Sequence, residues 1–311
     1  KESLITQINL IFQDCRKYIL GKYRNFFNID QITNENHRTA FDISLLLINL
    51  YKHFLIIHKQ RNVNKESTDS VVTVILEYLF MASSSMCYQI SNEAMAALIS
   101  CSERFNENFS QCDLKYFHCI MVQLTSNTDQ TTKQLALNVI AQLTSKFKVD
   151  RIIEFLSLHN GQILDIFSSL LDTNYEIYAL PIIIILVNFI KKSTKVMNDL
   201  YSLDSMIVQN ILSSFSVSLG TKLKSGILFL YATSVVSSDQ SNLPYFVDLG
   251  LSLKIFEEMI SLLLSTNSND MISMILQATI RMLNYANEVN SDLFTQFVNV
   301  IAESIIPDEL L

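Results

Sequence analysis

The side chains that could support metal binding are few and poorly spaced. The one cluster of soft ligands is Cys112, His118 and Cys119. A structural zinc site needs four ligands, usually in closely spaced pairs, and the adjacent His118 and Cys119 would point apart on a helix. The five cysteines are an odd number, widely spaced in a large apolar chain, which is typical of reduced thiols. The sequence therefore predicts no metal site.

Motifs of the common enzyme classes are also missing from the sequence. It contains no GxSxG, HExxH, P-loop or GxGxxG pattern, and its five glycines are too scattered to cradle a phosphate. Carboxylates are paired only at Glu257-Glu258 and Asp308-Glu309, which we interpret as solvated surface groups. We therefore predict a non-catalytic protein that uses no cofactor.

Rows of polar residues, mostly uncharged, are the remaining chemical signal. On two long apolar helix patterns they recur every three or four positions, which places them on one face. The rows are Gln134, Asn138, Gln142 and Ser145, and then Ser273, Gln277, Arg281, Asn284 and Glu288. Such a row is either the solvent-exposed face of a surface helix or the lining of a groove. In a groove, amide side chains can pair with the donors and acceptors of a bound peptide backbone. A face selected only for solubility would more usually carry Lys and Glu.

Four turn signals give the spacing of the helices that must position these rows. Asn127, Asn174, Gly220 and Asn267 follow one another at intervals of 47, 46 and 47 residues. A fixed period of this size is typical of stacked helical repeats, since one such unit cannot bury its apolar face alone. The apolar fraction of 49%, with only 5 Gly and 3 Pro, favours helices joined by short turns.

Composition divides the chain into three parts. Residues 1–60 are predicted to form an N-terminal helical pair or cap, residues 61–70 a polar loop, and residues 71–311 the repeats. Residues 1–65 carry ten Lys/Arg and five Asp/Glu, whereas the remainder carries 13 and 25. An acidic body repels phosphate backbones, which argues for a protein partner and against nucleic acid. A candidate patch for an anionic partner lies in the basic part, at Arg16, Lys17, Lys22 and Arg24.

Two apolar runs, residues 43–57 and 180–190, are shorter than the roughly 20 residues needed to cross a bilayer. The sequence thus predicts no transmembrane segment. Together with the reduced thiols, it predicts an intracellular protein of the cytoplasm or nucleus. Because the first residue is Lys, we expect a fragment, a trimmed product or an expressed piece.

Local signals mark where several helices should begin. Thr173 and Glu176 match a capping box. Pro181 lies within an apolar helix pattern, either in its first turn or at a kink. Further N-caps are predicted at Ser91, Thr128 and Ser268.

The last three units each read short helix, medium helix, tight turn, long helix, and this order resembles the armadillo repeat. The resemblance covers roughly residues 71–305. The long-helix segments that carry it are "LALNVIAQLTSKF", "ALPIIIILVNFIKKS", "SGILFLYATSVVSS" and "ILQATIRMLNYAN". The HEAT repeat shares the period but has two helices per unit, so the short extra helices favour armadillo. The resemblance implies an all-α, right-handed armadillo-like α-solenoid of stacked three-helix repeats, with an atypical N-terminal helical cap.

The same resemblance implies where a partner would bind. In armadillo proteins the third helix lines a concave groove, and an Asn in an "LxNL"-like setting grips the backbone of an extended peptide. Asn188 and Asn284 match that setting, while Gln142 and Thr233 fall at the corresponding places in the other units. We therefore expect a scaffold or adaptor that binds a peptide or helix of a protein partner. The predicted partner-binding residues are Asn138, Gln142, Asn188, Tyr231, Thr233, Arg281, Asn284 and Tyr285.

Three alternatives stay open. The basic N-terminal patch could serve a nucleic-acid or phosphoinositide adaptor. The terminal repeats could pair end to end in a self-assembling structural subunit, which would make the protein a homo-oligomer. Some armadillo proteins also act on small GTPases without catalytic side chains, so a nucleotide-exchange role survives the absence of enzyme motifs.

Overall fold

The structure is a computed structural model, and it describes residues 35–59, 65–102, 114–126, 128–157, 162–202, 206–216 and 218–305. Within these ranges the regular structure is helical and contains no strand. The predicted basic patch of Arg16, Lys17, Lys22 and Arg24 lies outside the described residues, as does Cys112.

The described helices follow one another with short connections. In chain order they are α1 (Glu35–Lys59), α2 (Lys65–Ser83), α3 (Tyr88–Ser102), α4 (Lys115–Thr125), α5 (Gln130–Lys146), α6 (Val149–Ser157), α7 (Ile163–Thr173), α8 (Tyr175–Ile190), α9 (Thr194–Ser202), α10 (Ile207–Ser213), α11 (Thr221–Ser237), α12 (Leu243–Ser252), α13 (Ile255–Ser265), α14 (Asn269–Val289) and α15 (Ser291–Ile305). A 3₁₀ turn, Gln240–Asn242, precedes α12.

The chain divides into two compact units, Lys1–Phe147 and Lys148–Leu311. In the first unit α3 packs between α1 and α5, while α2 packs against α3 and α4. Aromatic rings fill the interior, and the ring centroids of Tyr51 and Tyr78 lie 5.5 Å apart. The buried Gln123 side chain ties α4 to the turn after α2, because its Nε2 donates to the carbonyl oxygens of Ser83 and Ser85 at 2.8 and 3.0 Å.

The second unit contains three successive triplets of short, medium and long helices, as the sequence predicts. The triplets are α6–α7–α8, α9–α10–α11 and α12–α13–α14. Each medium helix packs on the long helix that follows it, and the long helices α8, α11 and α14 pack side by side in a row. Phe155, Phe167 and Phe246 are fully buried beneath that row. The core therefore runs from triplet to triplet, as stacked repeats require.

Helix α15 closes the second unit. It packs against α13 and α14, and the rings of Phe256 and Phe297 meet edge to face with centroids 4.5 Å apart. Its outward side is mainly polar, with Asp292, Gln296, Asn299 and Glu303 exposed.

The predicted capping box at Thr173 is wrong, because α8 begins one residue later than that motif requires. The N-cap is Asn174, whose Oδ1 accepts a hydrogen bond from the Ile177 amide at 3.3 Å. The Thr173 hydroxyl instead donates to the Ser169 carbonyl at 2.8 Å and so belongs to α7. Asn is among the strongest N-cap residues and outranks Thr, which explains the shift.

Of the other predicted N-caps, only Ser268 is confirmed, since its hydroxyl accepts from the Met271 amide at 3.4 Å. Thr128 donates to the Gln123 carbonyl, and the neighbouring Asp129 caps α5. Ser91 lies inside α3 and donates to the Ser83 carbonyl. The polar side chains at these turns thus serve the preceding element as often as the following helix.

The structure also bears on the predicted loop at residues 61–70 and on the predicted place of Pro181. Helix α2 begins at Lys65, so helix occupies residues 65–70 of the segment predicted to be a loop. A polar composition does not oppose a helix here, because Lys and Glu are good helix formers. Pro181 lies beyond the first turn of α8 and is buried there. Among the described residues, no helix is long and apolar enough to cross a membrane.

Candidate functional site

An open groove lies along the row formed by α8 and α11. Its volume is about 450 Å³. We call it the apolar groove, and its lining consists of Leu180, Ile183, Ile184, Val187, Asn188 and Lys191 of α8, Thr221, Lys222, Ser225, Gly226 and Phe229 of α11, and Met271 of α14. Most of these positions recur every three or four residues, so each helix presents one face to the groove.

Gly226 explains why the two helices approach so closely at the floor of the apolar groove. A Cβ atom at this position would lie 3.0 Å from Leu180 Cδ1 and 3.7 Å from Ile183 Cγ2. The first distance is tighter than ordinary van der Waals contact. The glycine therefore serves close packing of α8 on α11, and a larger side chain would have to enter the groove or separate the helices.

Lys191 gives the apolar groove a cation that rests on an aromatic ring. Its Nζ lies 4.5 Å from the centroid of the Phe229 ring, a distance that supports a cation–π contact. Burial lowers the pKa of Lys191, because the ammonium loses part of its water. The carboxylate of Asp270 opposes that effect, and Lys192 adds to it.

A second concavity lies beside α14 and the 3₁₀ turn, with a volume of about 360 Å³. We call it the polar hollow, and it is lined by Gln240, Leu243, Gln277, Ile280, Arg281, Asn284, Tyr285 and Glu288. Amide groups supply much of this lining. The polar row predicted from the sequence of α14 thus lies largely in one concavity.

The Arg281 guanidinium donates hydrogen bonds to backbone carbonyls of the preceding repeat. Its Nη1 donates to the carbonyl oxygen of Val236 at 2.6 Å, and its Nη2 donates to that of Ser238. Both carbonyls belong to the last turn of α11 or follow it directly, where helices leave acceptors without partners and where a cation is favoured. Arg281 therefore caps α11 in addition to lining the polar hollow.

Tyr231 and Thr233 do not lie in the groove, contrary to the sequence prediction. Tyr231 is fully buried, and its hydroxyl donates to the Phe246 carbonyl at 2.6 Å and lies 3.6 Å from Met282 Sδ. Thr233 is fully buried as well, and its hydroxyl donates to the Phe229 carbonyl of its own helix at 2.7 Å. Neither side chain is available to a partner, so both belong to the core.

The remaining predicted site residues fall in three places. Asn188 is half-buried in the wall of the apolar groove, whereas Asn284 is exposed and Tyr285 half-buried in the polar hollow. Asn138 and Gln142 are half-buried on α5, which belongs to the first unit.

A row of apolar residues accompanies these positions, and the sequence reasoning missed it. Ile184, Phe229 and Ile280 lie on α8, α11 and α14, each four residues before Asn188, Thr233 and Asn284 respectively. Ile184 is 44% exposed and Ile280 is 57% exposed, while Phe229 is half-buried. We call these three residues the apolar row. An apolar residue at the same offset in three successive repeats was the signal that could have revealed it.

Outside these two concavities, two glutamates lie beside lysines, and one cysteine thiol is partly buried. Glu258 pairs with Lys224 at 2.6 Å, and Glu257 lies 3.8 Å from Lys254. Burial raises the pKa of Cys119. Within the part of the chain that the structure describes, no three His, Cys, Asp or Glu side chains are placed to share a metal ion.

Solved structures similar to this one include designed armadillo repeat proteins and an engineered protein. No protein-family model matches the chain, and no curated protein matches it. The designed armadillo repeat protein YIII(Dq)4CqI has a TM-score of 0.57 at 10% identity, covering 83% of this chain and 98% of the design. The design YIII(Dq.V1)4CPAF, solved in complex with the peptide (KR)4, has a TM-score of 0.56 at 11% identity with the same coverage. An engineered protein of a structural genomics consortium has a TM-score of 0.56 at 14% identity and covers 92% of this chain and 69% of its own length.

Identities this low show the fold alone. The helix order, the row of long helices and these structural matches agree with one another. The chain has an all-α, armadillo-like helical-repeat fold of the α-solenoid class.

Proposed function

We propose that this chain is a non-catalytic scaffold or adaptor that binds a segment of a partner protein along the exposed face of α8, α11 and α14. The observation that carries the proposal is the apolar row, Ile184, Phe229 and Ile280, repeated at one position on three adjacent helices. Single exposed apolar residues are ordinary, whereas a row that lines concavities is typical of an interaction surface.

The polar neighbours of the apolar row suit a peptide backbone. Asn188 and Asn284 each follow a member of the row by one helical turn. An amide side chain both donates and accepts hydrogen bonds, so it can satisfy an amide and a carbonyl of the same bound residue. Apolar side chains of the partner would then be buried on the row, each contributing about 1.5–3 kcal/mol if fully enclosed.

The structural neighbours add weaker support. One of the similar designs was solved with a bound peptide. Its 11% sequence identity is too low to assign the same ligand to this chain. We infer from it only that a protein of this fold can bind a peptide. We assign the protein to the cytoplasm or nucleus because Cys87, Cys101 and Cys119 are free thiols. The N-terminal basic patch remains a separate prediction, to be tested by charge reversal.

A peptide selection with paired variants tests the proposal. Peptides are selected from a random phage-displayed library on the wild-type chain, and their affinities are then measured by fluorescence polarisation. The double variant Asn188→Ala/Asn284→Ala should bind about ten- to thirtyfold more weakly, since each lost hydrogen bond contributes about 1 kcal/mol.

The matched control removes two exposed asparagines elsewhere, Asn210 on α10 and Asn299 on α15. Asn210→Ala/Asn299→Ala should bind like the wild type, and circular dichroism should show all three proteins folded. Selected peptides that bind the folded Asn188→Ala/Asn284→Ala variant with unchanged affinity would contradict the proposed function.

A further inference from the structure

The apolar groove carries only one sign of charge among its lining residues. Lys191 and Lys222 line it, and no carboxylate does. Lys222 is exposed and makes no ion pair with any residue that the structure describes. Lys224, two residues further along α11, is by contrast paired with Glu258. The groove is therefore a basic site on a chain whose net charge is −7.

The acidic remainder of the chain does not cancel these two lysines for a bound ligand. At physiological ionic strength, charges are screened over about 8 Å, so a group bound in the groove responds mainly to its neighbours. The charged side chains that act on Lys191 are Asp270, which favours its ammonium form, and Lys192, which disfavours it. The balance at the groove itself remains positive.

The position of Lys191 on Phe229 makes it a good partner for an anion. The Lys191 ammonium lies 4.5 Å from the Phe229 ring centroid, so the ring covers one side of it. The lowered pKa of Lys191 reflects the same burial. A carboxylate that approaches Lys191 would form a charge-assisted hydrogen bond with it. The desolvation cost of that bond is reduced, because the ammonium has less water left to give up.

The floor between these lysines suits an apolar side chain. Ile184 and Phe229 flank it, and Gly226 leaves it open because that residue has no side chain. Its volume of about 450 Å³ falls in the usual range for ligand pockets, roughly 300–1,000 Å³. The groove thus combines an apolar floor with cationic edges.

We propose that the apolar groove selects a partner segment in which a large apolar side chain is flanked by acidic residues. The apolar side chain packs between Ile184 and Phe229, and the flanking carboxylates reach Lys191 and Lys222. This inference rests on the proposed function, because it names the class of segment that binds at the same face. It also predicts that a basic segment is rejected, since its cations would face two lysines.

Synthetic peptides with matched substitutions test the selectivity. Helices that pack about 10 Å apart span roughly 20 Å across three axes, so an extended peptide of about eight residues covers them. The probes are a fluorescein-labelled peptide that alternates Leu with Glu, a second with Lys in place of Glu, and a third with Ala in place of Leu. The Leu–Glu peptide should bind at least about tenfold more tightly than either of the others.

Variants of the chain locate the source of that preference. Lys191→Gln/Lys222→Gln should remove most of the preference for Glu over Lys, whereas the control Lys148→Gln/Lys195→Gln, at two exposed positions outside the groove, should keep it. Ile184→Ser should weaken the Leu–Glu peptide about tenfold, and Leu264→Ser, at an exposed site on α13, should leave it unchanged.

The outcomes separate this inference from the function on which it rests. Equal binding of the Leu–Glu and Leu–Lys peptides, no binding of the Leu–Glu peptide, or a preference that survives in Lys191→Gln/Lys222→Gln would each overturn the inference. These outcomes leave the proposed function standing, because that function is tested by the response of the library-selected peptides to Asn188→Ala/Asn284→Ala.

Discussion

The apolar groove and the polar hollow occupy related places on the same row of helices but are built differently. In the apolar groove, Gly226 brings α11 close to α8 and leaves Phe229 and Ile184 as the walls. In the polar hollow, the long Arg281 side chain reaches back to cap α11, and three amide side chains supply much of the polar lining. The apolar groove contains Ile184 and Phe229, the polar hollow contains Ile280, and both Ile184 and Ile280 are followed after one turn by an asparagine.

The difference shows that a cation on the row of long helices can serve packing or binding, according to the groups that it contacts. The Arg281 guanidinium binds carbonyl groups of its own chain, so substitution of Arg281 should mainly lower the free energy of unfolding. The Lys191 ammonium lies over the Phe229 ring at the surface, so substitution of Lys191 should mainly change which ligands the groove binds. Four predictions test this contrast, from the largest expected effect to the smallest.

The largest effect is expected from Arg281→Ala. This substitution removes two charge-assisted hydrogen bonds to the end of α11, and it should lower the free energy of unfolding by about 2–3 kcal/mol. Lys191→Ala should lower the same quantity by only about 0.5–1 kcal/mol, because it removes a single cation–π contact with Phe229. Urea denaturation of both variants measures the difference. Equal stability of the two variants would remove the distinction between a capping and a ligand-facing cation.

Gly226→Ile should damage the apolar groove in two ways. The new side chain would crowd Leu180 and Ile183, lowering the free energy of unfolding by about 1–3 kcal/mol, and it would fill the groove and abolish binding of the Leu–Glu peptide. Gly220→Asn is the control, because a Cβ at Gly220 has no neighbour within 4 Å and because Asn is favoured at this N-cap position of α11. A Gly226→Ile protein as stable as the control, with unchanged peptide affinity, would show that the close approach of α8 and α11 does not form the site.

The two concavities should differ in how strongly they hold an apolar ligand side chain. Ile184→Ser should weaken the Leu–Glu peptide about tenfold, whereas Ile280→Ser should weaken it only about two- to threefold, because the polar hollow offers less apolar area to the ligand. Fluorescence polarisation on the two variants checks the ranking. A larger loss from Ile280→Ser would reverse our assignment of the anchor to the apolar groove.

The smallest effect concerns the protonation of Lys191. Its pKa in the folded chain should lie below the usual 10.5, because burial disfavours the ammonium. The unfolded chain then holds more protons between the two pKa values, so this group makes folding more favourable as the pH rises through that interval. NMR titration of ¹³C-labelled lysine side chains measures the pKa directly.

Two single variants give the sign of the nearby charges on the Lys191 pKa. Asp270→Asn should lower it further, since the carboxylate favours the charged form, and Lys192→Gln should raise it. Shifts in the opposite directions would mean that Lys191 does not have the surroundings described for the apolar groove.

The sequence predicted the architecture well because turn spacing and helix period are local signals. The intervals between Asn174, Gly220 and Asn267 correspond to the steps between α8, α11 and α14. The expectation that Asn188 and Asn284 face a groove came from the armadillo resemblance, and each residue lines a concavity in the structure. The turn spacing, by contrast, follows from counting along the chain, which a sequence permits.

Other features depend on contacts between helices, which counting does not provide. Thr233 occupies the position that corresponds to Asn188, yet it is fully buried and bonded to its own helix. Tyr231 lies two residues beyond Phe229 and points into the core, where Gly250 leaves room for its hydroxyl. The Arg281 cap joins residues more than forty positions apart. No local pattern in the sequence indicates which side of a helix its neighbours will cover.

The most direct test of a binding face on α8, α11 and α14 is methyl NMR of three exposed isoleucines. Ile184 and Ile280 belong to the apolar row, while Ile153 is similarly exposed on α6 and outside it. Titration with a library-selected peptide should shift the δ1 methyl signals of Ile184 and Ile280 and leave that of Ile153 in place. A shift at Ile153 alone, with Ile184 and Ile280 unmoved at saturating peptide, would contradict the account.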